Sequence, residues 1–172
     1  MTKLKRKNSD NREEKIILMA IVIAIIIVSA MLIFSIVTIQ EEYFSSIGLL
    51  DENKTTSDYP QVVQNNTPFY LWVDLGNYEG CINLYIVNIT LGNENTTINK
   101  SQPSGNSAIF LKNYHCIVEN QLTKMIYVNL SINLIVNETR LIFELWKYNS
   151  YMKNFQYLGL WCQMPINITK ST

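Results

Sequence analysis

A single histidine limits the chemistry open to this chain of 172 residues. With His115 alone, every multi-histidine metal site is removed, and a Ser-His-Asp or Cys-His arrangement must rest on one side chain. Cys116 beside it invites a nucleophilic reading. Adjacent residues of an extended segment point to opposite sides, however, and no nucleophile context surrounds the pair. His115 therefore reads as a loop histidine next to half of a disulfide. The carboxylates Asp74, Glu79, Glu138 and Glu144 are too scattered to propose an acid–base pair, and the closely spaced acids of a calcium loop are missing. Six glycines in the whole chain offer no phosphate cradle. No catalytic, cofactor-binding or metal-ligating residue is assigned on these grounds, and the chain is expected to be non-enzymatic and to need no cofactor.

Three cysteines permit one internal bridge with one thiol left over. Cys81 with Cys116 is the expected pair, because it would tether the long middle segment and restrict the unfolded chain by about 3 to 4 kcal/mol on a loop-entropy argument. Cys162 would pair between chains or stay buried as a small apolar residue, and three free thiols are the remaining arrangement. A different chemistry is written in the asparagines. Acceptor sequons for N-linked glycans occur at Asn53, Asn65, Asn88, Asn95, Asn99, Asn129, Asn137 and Asn167, all in the part of the chain beyond residue 50.

The element that must position these residues is the run from Ile16 to Ile39, which contains no charge. At about 1.5 Å per residue its twenty-four positions make a helix of roughly 36 Å, enough to cross a hydrocarbon core of about 30 Å. In lipid a lone segment must satisfy its own backbone hydrogen bonds, so a helix is expected despite the β-branched Ile and Val. Residues 1–15 carry six basic and three acidic side chains, whereas the far flank reads Gln40-Glu41-Glu42. Positive charge stays on the cytoplasmic side, so the N-terminus is expected inside and the C-terminal part outside, in a single-pass arrangement at the cell membrane. A signal peptide cleaved near Val28-Ser29-Ala30 and a pilin-like subunit are the competing readings. The part beyond the run carries eight basic and eleven acidic residues. Its mildly acidic balance disfavours nucleic acid, and the basic tail is a topology determinant that can also meet anionic lipid.

Five segments follow: a basic cytoplasmic tail over 1–15, a transmembrane helix over 16–39, a stem or linker over 40–64 with a helical continuation through Leu50, a β domain over 65–165, and a C-terminal tail over 166–172. In the β domain, Phe69, Leu71, Val73 and Leu75 alternate with Tyr70, Trp72 and Asp74. Gly76 to Gly80 should turn into a strand from Cys81 to Leu91, with Asn88 outward and Tyr85, Val87, Ile89 and Leu91 inward. Residues 96–123 promise one strand and long loops. Ile126, Val128, Leu130, Ile132 and Leu134 alternate with polar partners over 125–135, placing Asn129 on a wet face. Leu141, Phe143 and Leu145 point inward from the next strand, and a last strand covers 155–163. Short strands joined by Gly and Asn turns predict a mainly β ectodomain folded as an antiparallel, immunoglobulin-like β-sandwich.

Dispersed motifs over residues 58–163 add a resemblance. Asp58-Tyr59-Pro60, Asn77-Tyr78-Glu79-Gly80 before Tyr85, Leu141 to Lys147 and Tyr157-Leu158-Gly159-Leu160-Trp161 resemble the outer domain of a largely archaeal membrane-protein family called domain of unknown function 1616. Tyr78 stands where that family often has His, and one membrane helix stands where it often has several. The resemblance implies a membrane-attached, extracytoplasmic β domain and carries no activity with it.

Tyr70 and Trp72 in one strand, and Trp146 and Tyr148 in another, are expected on the face opposite the core, as a contact stripe or as part of a second core. Two function classes result. In the first, one helix holds a glycosylated sandwich that meets a protein partner of the cell envelope. In the second, the chain is an accessory or catalytic subunit completed by another chain. An enzyme would gather polar groups around His115 in a pocket, whereas a binding module would present an apolar patch. The oligomeric state is left open, although Ala20 and Ala24 are spaced for a helix–helix contact.

Overall fold

A computed structural model describes residues 3–37 and 43–170. The chain divides into two units, Met1–Glu41 and Glu42–Thr172.

The first unit is one helix, α1 (Lys3–Val37). It starts well inside the expected tail, so residues 3–15 are helical, while Thr38 and Ile39 of the expected span lie outside the described residues. Within it, Glu14–Ser35 is long and apolar enough to cross a membrane, and contains an eighteen-residue window with a mean hydropathy of 3.4, none of it buried. Large side chains from Ile16 to Phe34 are exposed all round the helix. A helix that is apolar on every side is compatible with a bilayer span.

The second unit is a two-sheet sandwich built from β1 (Phe44–Leu50), β2 (Val62–Gln64), β3 (Phe69–Tyr78), β4 (Asn83–Gly92), β5 (Ile109–Val118), β6 (Leu122–Leu130), β7 (Val136–Asn149) and β8 (Asn154–Thr169). A three-stranded sheet ordered β1-β3-β6 faces a five-stranded sheet ordered β2-β8-β7-β4-β5. The chain changes sheets at β1–β2, β2–β3, β3–β4, β5–β6 and β6–β7, the repeated crossing between layers of an immunoglobulin-like sandwich. The core follows the period-2 alternation. Leu71, Val73 and Leu75 from β3, Tyr85, Val87, Ile89 and Leu91 from β4, and Leu141, Phe143 and Leu145 from β7 are all buried and packed together.

Several boundaries differ from the expectation. The expected stem over 40–64 holds two strands, while residues 40–42 lie outside the described ones. Its expected helical continuation is β1, whose Ile47 and Leu49 pair with Leu75 and Val73. Ser45 and Gly48 diluted the hydrophobic alternation there, and Ser45 tolerates burial because its hydroxyl is hydrogen-bonded on the inside. The sandwich therefore starts at β1 and not at residue 65. At the other end, the expected tail over 166–172 belongs to β8 through Thr169, with Ile166 and Ile168 in the core. The sheets are also not wholly antiparallel. β2 runs parallel to β8, with Val62 opposite Asn167, which the alternation of either strand could not reveal.

The turn after β3 begins only beyond Tyr78, and Gly76 and Asn77 are buried strand residues. Strand β6 ends at Leu130, short of the expected Ile135, although Ile132 still reaches the core.

Candidate functional site

The two residues that most resembled a reactive pair are separated by the strand that holds them. His115 and Cys116 lie in the middle of β5 and not in a loop, because Cys116, Val118 and Tyr114 give that strand an inward face. His115 is exposed on the outer side, opposite Ile86, and meets the Phe155 ring edge-on at 6.0 Å. Cys116 is buried opposite Tyr85, where burial pushes its thiol pKa up. A buried, protonated thiol that points away from the imidazole is not an activated nucleophile.

The expected bridge between Cys81 and Cys116 is not formed, and all three cysteines are free thiols. Cys116 is level with Tyr85, four residues further along the strand direction than Cys81, which at about 3.3 Å per residue is a separation of roughly 13 Å. A disulfide needs Cα atoms within about 7 Å. Cys162 is half-buried, donates its thiol to the Ile47 carbonyl at 3.3 Å, and has its pKa raised by burial.

What does converge is a polar cluster at the end of the sandwich where β1 begins. Asn77 of β3 is fully buried, and its amide donates to the carbonyls of Cys81 and Val118, each at 2.8 Å. Its side-chain oxygen accepts from the Tyr85 hydroxyl at 3.1 Å and from Asn83. The Ser45 hydroxyl lies 2.9 Å from the Tyr85 oxygen and donates to Glu79 at 2.5 Å. Glu79 also forms an ion pair with Lys147 of β7. The cluster ties β1 and β3 in one sheet to β4 and β7 in the other. Burial alone would raise the Glu79 pKa, but the hydrogen bonds from Lys147 and Ser45 and the Lys147 charge hold the carboxyl below its ordinary value. Burial moves Tyr85 the other way, upward. Both groups are thus pushed away from neutrality and already bonded, an arrangement that fixes two sheets together and is unsuited to proton transfer.

The remaining carboxylates stand apart from this cluster and from each other. Glu144 is buried on the outer face of the five-stranded sheet, where it accepts from the Ser104 backbone at 2.6 Å and from the Trp146 indole at 3.2 Å. Residues 93–108 fold over that half of the sheet. Ser104 bonds Thr90 at 3.1 Å, Arg140 donates to the Thr96 carbonyl, and Gly159 lies against the Lys100 backbone. Beneath this cover, burial and the nearby Glu144 charge push the Tyr157 phenol up to about 12. Glu138 sits at a bulge in β7 with φ 54°, and Asp74 lies on the outer side of β3 opposite Gly48 and Met125.

Two open clefts are lined by neither His115 nor a cysteine. One, of about 330 Å³, is bounded by Asp51, Glu52, Asp58 and Tyr70 among others, and the second, of about 320 Å³, separates the β5 and β6 edges near Lys112 and Asn129. In the first, Asp51 is already bound to the Thr55 amide and hydroxyl at 2.7 and 2.6 Å, which lowers its pKa and closes the 51–55 turn. Among the described residues, no three His, Cys, Asp or Glu side chains are grouped to hold a metal.

The aromatic residues point away from the core as expected, but on two different sheets, so they form no single stripe. Tyr70 and Trp72 pack against Tyr127 on the three-stranded sheet, at 5.4 and 4.9 Å between ring centroids. Trp146 packs against Tyr157, and Tyr148 against Phe155, on the five-stranded one. Of the sequon asparagines, Asn53, Asn95, Asn99, Asn129, Asn137 and Asn167 are exposed, and Asn65 and Asn88 are half-buried. Asn88 faces away from the core between Asn113 and Glu144.

Comparison of the sequence with protein-family models and with curated proteins gives no match. Solved structures share the layout at low identity. The CARDB domain of the PF1109 protein from Pyrococcus furiosus, crystallised with di-metal ions, aligns at 10% identity over 78% of this chain and 100% of its own, with a TM-score of 0.48. The C-terminal domain of wzt aligns at 10% identity over 77% of this chain and 81% of its own, with a TM-score of 0.46. A β-glucosidase from Listeria innocua aligns at 8% identity over 74% of this chain and only 16% of its own, with a TM-score of 0.40.

Proposed function

We propose that this chain is a single-pass, membrane-anchored surface protein whose β-sandwich lies outside the cytoplasm and serves as a non-enzymatic module that meets a protein partner of the cell envelope. The observation that carries the reading is the unburied apolar span Glu14–Ser35 joined to a sandwich in which His115, the cysteines and the carboxylates do not converge. The basic residues before the span and the sequons after it support the same sidedness, and the exposed asparagines are glycan acceptors in this reading. Likeness to the outer domain of the family called domain of unknown function 1616 fits as well. Asn77, Glu79, Tyr85 and Lys147, which belong to the motifs that carry it, meet in the polar cluster that ties the sheets together.

Sidedness is tested on intact cells expressing the chain with distinct tags at its two ends. Added protease should remove the C-terminal tag and leave the N-terminal one. A full-length polypeptide with its C-terminal part spared would overturn the proposal.

A further inference from the structure

The two ends of the sandwich differ in what they display. At the end where β1 starts, Tyr43 is 64% exposed, Ile82 62% and Tyr151 93%, and Phe44, Leu122 and Met152 are exposed with them. The strand register gathers these residues from separate parts of the chain. Phe44 lies opposite Tyr78, Leu122 opposite Asn77, Ile82 just precedes β4, and the β7–β8 hairpin carries Tyr151 and Met152 past the Tyr85 to Lys147 pairing. Exposed apolar side chains alone do not distinguish the ends, since Ile109 and Ile135 are exposed at the other one.

The sequons do distinguish them. Asn53, Asn65, Asn95, Asn99, Asn129, Asn137 and Asn167 all lie toward the far end, beyond Leu50, beyond Gly92, opposite Tyr70 or opposite Val62, and Asn88 lies midway along β4. The β1-start end has its own asparagines, Asn77, Asn83, Asn120, Asn149 and Asn154, and none begins a sequon. It is also the end at which the chain arrives from the apolar segment. Only seven residues of sequence lie between Ser35 and Tyr43, a reach of at most about 28 Å even when fully extended.

We propose that this sequon-free, apolar end is a bilayer-contacting face, with Tyr43, Phe44, Ile82, Leu122, Tyr151 and Met152 seated at the headgroup level of the membrane that holds the helix. The proposal rests on the membrane-anchored reading above. Amphipathic Tyr rings and aliphatic side chains partition into that zone, where a bulky hydrophilic glycan would be excluded. Glu79 is paired with Lys147, and Glu119 and Lys153 in the two neighbouring turns are of opposite sign, so this end carries no net charge from these four groups and the contact is apolar in origin and indifferent to salt.

The test uses the full-length chain in phosphatidylcholine vesicles containing lipids brominated at a shallow acyl position. Emission added by Tyr151→Trp should be quenched at least about twofold more than emission added by Ile135→Trp at the far end, with no change in high salt. Adding Met152→Glu and Ile82→Glu should abolish the difference. Equal quenching of the two probes, or loss of the difference in high salt, would overturn the contact. A difference that depends on the protein-to-lipid ratio would assign the face to a second copy of the chain, and would overturn it too. Flotation after a carbonate wash separates the two readings. A chain stripped from the vesicles sinks the anchor and the contact together, whereas a retained chain with an unquenched Tyr151→Trp sinks the contact alone.

Discussion

The outer faces of the two sheets have the same alternating sequence pattern and opposite fates. On the three-stranded sheet, Tyr70, Trp72 and Tyr127 form a ladder at the surface, with the Lys54 ammonium 4.5 Å above the Trp72 ring. On the five-stranded sheet the equivalent positions Ile142 and Glu144 are almost wholly buried, because residues 93–108 lie over them. A carboxylate is acceptable there only because a backbone amide and an indole bond it. Facing away from the core is therefore not the same as facing water, and the difference is made by a segment with little secondary structure of its own.

Glycine substitutions should break this contrast most strongly. In Gly159→Ala a Cβ would meet the Lys100 backbone, and φ of +70° is unfavourable for alanine. A loss of about 2 to 4 kcal/mol is expected in urea unfolding. Next, Glu144→Ala leaves the Ser104 amide unpaired beneath the cover, at about 1 to 3 kcal/mol, and hydrogen exchange at Ser104 should accelerate. Glu144→Gln, which keeps an acceptor, should cost less.

The polar cluster shared by both sheets predicts a pH dependence. The folded Glu79 pKa is depressed, so its contribution is present above the ordinary carboxylate range near 4.5 and is lost as pH falls through the lower folded value. The urea midpoint should drop on acidification below about pH 5, and Glu79→Gln should flatten that drop. On the open face the effects should be smaller. Trp72→Ala should cost about 1 kcal/mol or less, since its ring contacts are at the surface. Gly48→Ala, with only ordinary contacts to Asp74, should change stability by no more than about 0.5 kcal/mol. A cost for Gly48→Ala equal to that of Gly159→Ala would erase the distinction between the two faces.

Much of the core was legible because period-2 alternation is a local property. Val73 and Leu75, or Val87 and Ile89, name their own facing without reference to any partner strand. β1 is concealed because Ser45 and Gly48 interrupt its apolar pattern, and the reason Ser45 fits lies in Glu79 and Tyr85, more than thirty residues away. β2 has three residues and a parallel partner over a hundred positions later, which no local pattern encodes. The sequence conceals the strand that holds His115 because β5 lies at a sheet edge where Lys112 takes an inward-side position opposite Ile89, beside the outward Asn113 and His115, and such an edge carries weak hydrophobic alternation. The candidate chemistry was legible chiefly as an absence of motifs. The cluster that did form joins Ser45, Asn77, Glu79, Tyr85 and Lys147, whose spacings in sequence match no motif.

By itself the sequence determined the apolar span, the charge bias across it, the positions of the glycan acceptors and the inward face of each long strand. Each of these depends on side-chain types at short separations, where solvent preference acts directly. The tertiary structure decided which outward face is covered, that the thiols stay apart, and that seven of the eight sequons gather toward one end of the sandwich while none lies at the other. Those outcomes depend on strand register and sheet crossing, which are set by the summed packing of residues distant in the chain and leave no local trace.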